Sequence, residues 1–382
     1  MQYEVESPVG ARVRINGRWR DYFSGCSYLG LQNHLGLLGA ASVALQQYGL
    51  GTATSRGGYG EHPLYRAVER AAAAYWGAER AIYYVTAYLG NSVLLQGLQG
   101  DYERIFIDDA SHYSVWDGAR ITGVPMHPFR HRDPGDLADQ LRMYTTAGER
   151  PLVITDGVFP ISGEIAPAPA YLVALEGYDG GMLCLDDAHA TGVLGERGHG
   201  TLEHWGLEGQ DRCYAAHTLS KALGSHGGVI AGDDALIERL GRNAKALVAT
   251  SPSPLPAAAA SAWALSFMRH DAELRGRLRA NVARARAGFR ALGWDLPDSP
   301  VPIICLRARS GVDFARFQAE LFASDICVAH VTSYSSTPEG GALRIAIFAT
   351  HEIGQIDDAA DFDDLVVLNL AELAEAEMHA GS

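Results

Sequence analysis

The sequence has no excess of positive charge. Its 382 residues include 45 Asp and Glu against 31 Lys and Arg, which gives a formal net charge of -14. Proteins bind the phosphate backbone of nucleic acids through clustered Lys and Arg side chains. The composition therefore argues against nucleic acid as a partner.

Long apolar segments and closely spaced cysteines are also missing. The first residues, MQYEVESPVGARVRING, lack the apolar core of a signal peptide, and no segment approaches the length of a membrane span. The five cysteines show no CxxC spacing, which is typical of reduced thiols and argues against a zinc site. We therefore expect a cytoplasmic enzyme with no membrane partner and no bound metal.

Short β-branched runs alternate with helical stretches from about residue 80 to residue 232. This alternation predicts an α/β fold, in which helices cover both faces of a mainly parallel sheet. The predicted strands are Ala81–Val85, Arg104–Ile107, Pro151–Thr155, Met182–Leu185, Cys213–His217 and Gly228–Ala231. Because functional groups in such sheets gather at the carboxyl ends of the strands, the turns after these strands are the place to look for chemistry.

Three parts are expected along the chain. Residues 1–45 form an N-terminal segment that packs with the small domain, and residues 46–256 form the large domain. Residues 257–382 contain an Ala-rich linking helix or helix pair and then a small α+β domain. Its predicted elements are strands at Val301–Arg307 and Leu343–Ile347 and helices at Val312–Ala323 and Ile353–Glu375.

Lys221 follows an apolar strand in the segment AAHTLSKALGSHGG, where its amine is placed to form an imine. Another strand delivers Asp186 and His189 to its carboxyl end in LCLDDAHATGVLG. Pyridoxal 5'-phosphate (PLP) needs such a pair, because a carboxylate keeps the pyridine nitrogen protonated and a hydrogen-bond donor tunes the phenolate oxygen. A surface lysine and a helix-capping aspartate are the structural alternatives.

Two further segments favour a PLP site. The segment VTAYLGN, which starts at Val85, leads from a strand into a helix, whose backbone amides and dipole favour a phosphate. The segment IDDASHYSVWDG places His112 just after a strand, where an imidazole could cover one face of a flat heterocycle. A plain N-cap at Thr86 and a core histidine at position 112 are the alternatives.

The segments YLGL, TSRGGYG, HYSVWDG, DDAHATGVLGERGHG and HTLSKALGSHGG resemble, in this order, the successive motifs of the α-oxoamine synthase family. The resemblance covers nearly the whole chain. It implies a fold-type-I PLP-dependent transferase, with a mainly parallel seven-stranded sheet in the large domain and a smaller α+β C-terminal domain. It also implies amino acid and acyl thioester substrates and a homodimer with shared active sites.

The resemblance gives roles to individual residues of this chain. It makes Lys221 the Schiff-base lysine, Asp186 the partner of the pyridinium nitrogen, His189 the partner of the phenolate oxygen and His112 the residue that stacks on the ring. The residues implied to contact the phosphate are Thr86, Ala87, Tyr88, Thr218 and, supplied by the second subunit of a dimer, Thr250 and Ser251.

The implied substrate-binding residues are Arg344, Cys26 and Arg56. Arg344, in GGALRIAIFATHE, matches an arginine whose planar fork holds the amino-acid carboxylate through two charge-assisted hydrogen bonds. Ala342 replaces the first arginine of the family pattern, and Cys26 replaces an asparagine.

Other departures from the family pattern lie around the site. Ser27 replaces an aspartate, Ala53 and Thr54 replace a Gly-Gly pair, and Pro160 replaces a serine and has no N–H or hydroxyl to donate. None of them removes a group that is needed to bind PLP covalently. These departures concern the identity of the acyl substrate instead.

The expected activity is the condensation of a small amino acid with an acyl thioester of CoA or of a carrier protein, with loss of carbon dioxide. The alternative is a PLP lyase or aminotransferase on the same scaffold, because PLP stabilises any α-carbanion and the site decides which bond breaks. A dehydrogenase is disfavoured because no GxGxxG joins the first strand to its helix. A catalytically silent binding protein is disfavoured because Lys221 and Asp186 are both present.

Overall fold

The computed structural model describes residues 3–248, 250–308, 312–335 and 337–360. These residues form two compact units. Unit 1 contains the described residues of Met1–Gly30, Ile161–Gly163 and Glu273–Ser382, and unit 2 contains those of Leu31–Pro160 and Glu164–Ala272.

The strands and helices have the following bounds. The strands are β1 (Arg12–Ile15), β2 (Arg18–Tyr22), β3 (Arg80–Tyr84), β4 (Arg104–Asp108), β5 (Met126–Phe129), β6 (Pro151–Asp156), β7 (Met182–Asp186), β8 (Cys213–Thr218), β9 (Gly228–Gly232), β10 (Ile303–Arg307), β11 (Ile326–Cys327), β12 (Ala329–Val331) and β13 (Ala342–Ala346). The α-helices are α1 (Leu35–Tyr48), α2 (Pro63–Trp76), α3 (Gly90–Gly97), α4 (Tyr113–Arg120), α5 (Pro134–Tyr144), α6 (Ala168–Leu175), α7 (Thr201–His204), α8 (Asp234–Asn243), α9 (Leu255–Met268), α10 (Glu273–Ala291), α11 (Phe314–Ala323) and α12 (Ile353–Ala360). Short 3-10 helices occur at Leu31–Asn33, Arg56–Gly58, Ala87–Leu89 and Lys245–Leu247.

Unit 2 is built on a seven-stranded sheet with the order β3-β9-β8-β7-β6-β4-β5. Strands β8, β7, β6, β4 and β5 run parallel, whereas β9 is antiparallel to both β3 and β8. The five parallel strands therefore present their carboxyl ends at one edge of the sheet, as expected for an open α/β sheet. This architecture confirms the predicted mainly parallel, seven-stranded sheet.

Alternate residues of the central strands pack on opposite faces of this sheet. Ile105 and Ile107 of β4 are buried in one apolar cluster with side chains of α3 and α4, and Phe106 is buried in another with side chains of α5 and α6. The period of two is the geometric property of a strand that is covered on both faces. Within the described part of the chain, no helix combines the length and apolarity that crossing a bilayer requires.

Each of the six strands predicted for the large domain is present within one residue of its predicted ends. The missing prediction is β5, whose sequence MHPF carries a histidine and a proline. Proline is tolerated there because β5 lies at the edge of the sheet and pairs only with β4 in the described residues. Its short, mixed sequence gives little strand signal.

Unit 1 contains two three-stranded sheets, with the orders β1-β2-β11 and β10-β13-β12. The antiparallel pair β1 and β2 turns through Asn16 and Gly17, which have φ values of 48° and 79°. Two consecutive positive φ values are typical of a tight hairpin turn with the sequence Asn-Gly. The hairpin was not predicted, whereas β10, β13 and α11 lie close to their predicted ranges.

Only part of the predicted C-terminal helix lies within the described residues. Helix α12 begins at Ile353, as predicted, and is described to Ala360. The remainder of the predicted helix, residues 361–375, lies outside the described residues. The Ala-rich stretch after Pro256 forms the helix pair α9 and α10, one of the two predicted possibilities.

The division into units differs from the predicted domain limits of 45/46 and 256/257. Residues 31–45 and helix α9 belong to unit 2 because α1 and α2 both pack against α9. Within this packing, a Cβ on Gly36 would lie 2.3 Å from the ring of Trp263. The described contacts therefore place α1 and α9 in one compact unit, and the predicted domain limits stay predictions.

Candidate active site

Lys221 and His189 meet at the carboxyl ends of two neighbouring strands. Lys221 follows β8 and His189 follows β7, and these strands are paired in parallel. The distance from Lys221 Nζ to His189 Nε2 is 2.9 Å, and the His189 ring is buried. An amine and an imidazole are thus held in direct contact at the edge where chemistry is expected.

Asp186, the last residue of β7, is a buried carboxylate that accepts several hydrogen bonds. Its Oδ1 accepts from the backbone N–H of Ala188 at 3.0 Å, and its Oδ2 accepts from Asn91 Nδ2 at 2.7 Å. Ser114 Oγ lies 3.3 Å from the same Oδ2. Hydrogen bonds of this kind stabilise an ionised carboxylate.

His112 is held at the start of α4, next to Asp186. Its Nδ1 accepts from the backbone N–H of Ser114 at 3.1 Å, so the ring caps the helix, and the contact between Nδ1 and Ser114 Oγ is 2.7 Å. Burial is the main effect on the pKa of His112 and lowers it. The charge of Asp186 opposes burial, and the charge of Lys221 lowers the pKa further. The ring is therefore a neutral imidazole over most of the physiological range.

Asp156 lies beside Asp186 in the sheet, because the two residues are paired in register on β6 and β7. Its Oδ2 accepts from the backbone N–H of His112 at 2.7 Å. Burial, and then the charge of Asp186, raise the pKa of Asp156 well above its usual range. Two adjacent carboxyl groups in a buried site do not both ionise readily, which is the physical reason for the raised pKa of Asp156.

The predicted phosphate-binding turn lies between β3 and α3. Thr86 caps the 3-10 turn Ala87–Leu89 by accepting from the backbone N–H of Tyr88 at 3.4 Å, and Gly90 begins α3. A Cβ on Gly90 would lie 3.0 Å from Ala216 Cβ of β8. The turn is therefore packed against the strand that leads to Lys221.

Thr218 and Tyr88 border the same part of unit 2. Thr218 Oγ1 lies 2.8 Å from Ser220 Oγ and accepts from the Ser220 N–H at 3.2 Å. Tyr88 donates its hydroxyl to Asp117 Oδ2 at 2.6 Å, and its ring meets the ring of His112 edge-on with 6.1 Å between centroids. Their predicted contacts with a phosphate stay predictions.

Three other predicted residues line a separate pocket of unit 2. Thr250, Ser251 and Arg56 all border this pocket, whose volume is about 340 Å³. The guanidinium of Arg56 donates to Glu61 at 2.9 Å and to Glu69 at 2.6 Å. Arg56 is thus tied to two carboxylates of its own chain, and its substrate-binding role stays a prediction.

Arg344 and Cys26 lie together in unit 1. The Arg344 guanidinium is buried and donates to the Gly25 carbonyl at 3.0 Å and to the Tyr28 hydroxyl at 3.1 Å. Cys26 Sγ lies 3.8 Å from Arg344 Nη2. Burial lowers the pKa of Arg344, but Tyr28 and Cys26 outweigh burial and raise it above its ordinary value, so the group stays a cation.

The residues of unit 2 fit the chemistry of PLP. An amine that can bond to the cofactor aldehyde, a carboxylate with its own hydrogen-bond donors and a neutral imidazole converge at the carboxyl ends of β4, β7 and β8. The charges of Asp186 and Lys221 both act on the pKa values of His112 and Asp156, as expected for groups that lie close together.

Sequence reasoning missed three members of this cluster, Asn91, Ser114 and Asp156. Asn91 and Ser114 stand inside the segments VTAYLGN and HYSVWDG, in which the resemblance gives roles only to Thr86, Ala87, Tyr88 and His112. Asp156 ends β6, in the same place that Asp186 ends β7. The strand-end position was the available signal for Asp156.

Comparison with known proteins identifies the class of protein that has this fold and site. The family model described as aminotransferase class I and II matches residues 24–362, so the chain belongs to that family. Among solved structures, a Sphingomonas wittichii serine palmitoyltransferase has a TM-score of 0.85 and 28% identity and covers 94% of this chain and 89% of its own. A structure described as SPT with a PLP internal aldimine has a TM-score of 0.86 and 26% identity, with coverages of 94% and 89%.

Curated relatives narrow the class. The 8-amino-7-oxononanoate synthase of Methylococcus capsulatus is 35% identical over 354 residues, which cover 92% of this chain and 90% of the relative. That of Nitrosococcus oceani is 33% identical over 353 residues, with coverages of 92% and 93%. Within the broader class, the chain is a member of the α-oxoamine synthase family of PLP enzymes. The predicted family, fold type and cofactor are confirmed.

Proposed function

We propose that this protein is a PLP-dependent C-acyltransferase, which condenses a small amino acid with an acyl thioester, releases carbon dioxide and yields an α-amino ketone. The observation that carries the proposal is the grouping of Lys221, His189 and Asp186 in a chain that is 35% identical to an 8-amino-7-oxononanoate synthase. The reaction is inferred from the family resemblance, and the residues that carry it out are inferred from their grouping.

When bound, PLP supplies an electron sink for the negative charge that develops at the α-carbon of the amino acid. Lys221 provides the amine that holds the cofactor and that can move a proton at the α-carbon. Its contact with His189 orients Nζ toward the site. Asp186, held by Asn91, would accept the pyridine N–H, and the imidazole of His112, held by the Ser114 N–H, would cover one face of the ring.

Arg344 is proposed to bind the carboxylate of the amino acid. Gly25 and Tyr28 fix the orientation of its guanidinium inside unit 1, so little side-chain freedom is lost when a carboxylate binds. Cys26, beside the same guanidinium, is proposed to contact the substrate where the family pattern has asparagine.

We further propose a cytoplasmic homodimer that acts in biosynthesis. Arg56, Thr250 and Ser251 line a pocket whose wall is formed by residues of β3 and α8, by residues 246–247 and by residues 250–253, rather than by the residues around Lys221. A second subunit is the simplest way to bring such residues to an active site. Helix α1 also exposes Leu35, with 84% of its surface accessible, and Val43, with 61%. An exposed apolar face of this kind is typical of an interaction surface.

The test is a product assay on a panel of substrates. Purified enzyme is incubated with glycine, alanine or serine labelled with 13C in the carboxyl group, together with acyl-CoA thioesters of increasing chain length, and products are identified by mass spectrometry. We expect an α-amino ketone and labelled carbon dioxide in equal amounts from at least one pair. Lys221→Ala should give neither product, and Lys245→Arg, which changes the other lysine of the chain, should give both.

One outcome would contradict the acyltransferase proposal, and another would change only the acyl donor. If amino acids react only when an aldehyde or a keto acid is added, and no thioester is consumed, the protein is a lyase or an aminotransferase on the same scaffold. If acyl-CoA is inert but the acyl group of a carrier protein is transferred, the reaction stands and the donor is corrected.

A further inference from the structure

Ser114 makes contacts with two of the proposed site residues at once. Its Oγ lies 2.7 Å from His112 Nδ1 and 3.3 Å from Asp186 Oδ2. Only 3% of the Ser114 surface is accessible, so water does not compete strongly for these contacts. The hydroxyl therefore joins His112, which is proposed to cover the ring of the cofactor, to Asp186, which is proposed to bind its nitrogen.

Asn91 completes the hydrogen-bonded chain. Its Nδ2 donates to Asp186 Oδ2 at 2.7 Å and to Ser114 Oγ at 3.4 Å, which uses both amide protons. Ser114 then has one proton of its own to donate. Because the contact with His112 Nδ1 is the shorter one, and that nitrogen already accepts from the Ser114 N–H, the hydroxyl proton goes to His112.

This direction of donation fixes the tautomer of His112. An Nδ1 that accepts two hydrogen bonds carries no proton, so the proton of the neutral ring is on Nε2. In the same arrangement, the Asp186 carboxylate accepts a hydrogen bond from Asn91 and can accept one more. A pyridine N–H is such a donor.

We propose that Ser114 is a positioning residue that, with Asn91, fixes the Asp186 carboxylate and the His112 ring in the arrangement that holds the pyridine ring of PLP. The inference rests on the proposed function, since it assigns partners to Asp186 and His112 in that role. Ser114 itself acts through its two neighbours.

The test compares Ser114→Ala with Ser111→Ala. Ser111 is buried in the same segment, with 2% of its surface accessible, and its Oγ has no hydrogen-bond partner among the described residues. The dissociation constant of PLP is measured by titrating each apoprotein, and the visible absorbance of each loaded protein is followed against pH. Ser114→Ala should bind PLP about tenfold more weakly and change the pH dependence of the absorbance, because a buried hydrogen bond is lost. Ser111→Ala should match the wild type in both measurements.

A double-mutant cycle with His112→Phe tests the route of the effect. Phenylalanine has no Nδ1, so adding Ser114→Ala to His112→Phe should weaken PLP binding less than twofold further. Equal PLP dissociation constants for Ser114→Ala and Ser111→Ala would overturn the inference, as would fully additive effects in the cycle. A wild-type protein that binds no PLP would instead overturn the proposed function.

Discussion

At the scale of single residues, the proposed cofactor site depends on which side chains stand at the ends of β7 and β8. Asp186 and Lys221 are contributed by neighbouring parallel strands, and the groups around the Asp186 carboxylate come from α3, from α4 and from the turn after β7. Asn91 of α3 and the Ala188 N–H after β7 are the donors to Asp186, while Ser114 Oγ of α4 lies within 3.3 Å of the same carboxylate. Such convergence preorganises a site, because no group has to be ordered when the ligand binds.

The proposed role of the Asp186 carboxylate as partner of the pyridine nitrogen can be tested with the variant Asp186→Asn. An amide cannot hold the proton of the pyridine nitrogen, so PLP should remain bound while turnover falls by about 100-fold or more. Steady-state product formation and the visible spectrum of the same sample measure the two effects. The control is Asp109→Asn, which changes an exposed carboxylate just after β4. Near-normal turnover of Asp186→Asn would assign this residue a purely structural role.

Sequence reasoning predicted Lys221, Asp186, His189 and His112 because each stands just after a recognisable strand. It did not predict Asn91 and Ser114 as their partners. Those contacts depend on how closely α3 and α4 pack, which is a property of three-dimensional packing that neither helix reveals by itself. The packing of α1 on α9 is a similar case, since it joins residues that are distant along the chain.

At the scale of elements, Gly118 permits the close approach of α4 to α3. A Cβ at this position would lie 2.8 Å from Asn91 Cβ and 2.9 Å from the backbone N of Ser92, so it would clash with the neighbouring helix. Ser114 lies one turn earlier on α4. The glycine therefore brings Ser114 and Asn91 within reach of the same carboxylate.

We expect Gly118→Ala to lower the free energy of unfolding by about 1 to 3 kcal/mol through overpacking and to weaken PLP binding through displacement of Asn91. Gly276→Ala is the matched control, because this glycine of α10 is exposed and a Cβ would meet no atom within 4 Å. It should raise the free energy of unfolding by about 0.5 to 1 kcal/mol. Urea unfolding measures both. A Gly118→Ala protein as stable as Gly276→Ala would contradict this account of the helix packing.

A second element-scale feature is an ionic cluster that joins the end of β4 to the loops after β5 and β6. His131 Nδ1 lies 3.0 Å from Asp108 Oδ1, and its Nε2 lies 3.3 Å from Glu164 Oε2. Burial lowers the pKa of His131, but the hydrogen bonds with Asp108 and Glu164 outweigh it and raise the pKa to about 9. The charged ring therefore ties the two loops together at neutral pH.

The sign of the resulting pH dependence follows from linkage. Because the pKa of His131 is higher in the folded chain than its ordinary value of 6.5, its contribution to stability is complete below about pH 6.5 and is lost as the pH rises through 9. The wild type should therefore lose up to about 3 kcal/mol more than His131→Gln between pH 6 and pH 10, measured by urea unfolding. Parallel pH profiles of the two proteins would show that this histidine does not carry the charge at neutral pH.

At the scale of the whole molecule, the proposed dimer can be tested by mixing two defective chains. One carries Lys221→Ala, and the other carries Thr250→Val with Ser251→Ala. If each active site combines Lys221 of one subunit with Thr250 and Ser251 of the other, hybrid dimers contain one intact site, and about a quarter of the wild-type sites should be restored after random exchange. Activity is measured after reversible dissociation and reassembly, with each variant alone as the control. No gain over the separate variants would contradict shared sites.

The central claim is that Lys221 is the residue that holds PLP, and the composition of the chain makes it directly measurable. The sequence contains two lysines, Lys221 and the exposed Lys245, so a covalent label has only one alternative lysine to occupy. The holoenzyme is reduced with borohydride, digested and mapped by mass spectrometry, alongside Lys221→Ala and Lys245→Arg. The account predicts a reduced pyridoxyl group on Lys221 in the wild type and in Lys245→Arg, and none in Lys221→Ala. A label on Lys245, or no label on the wild type, would contradict it.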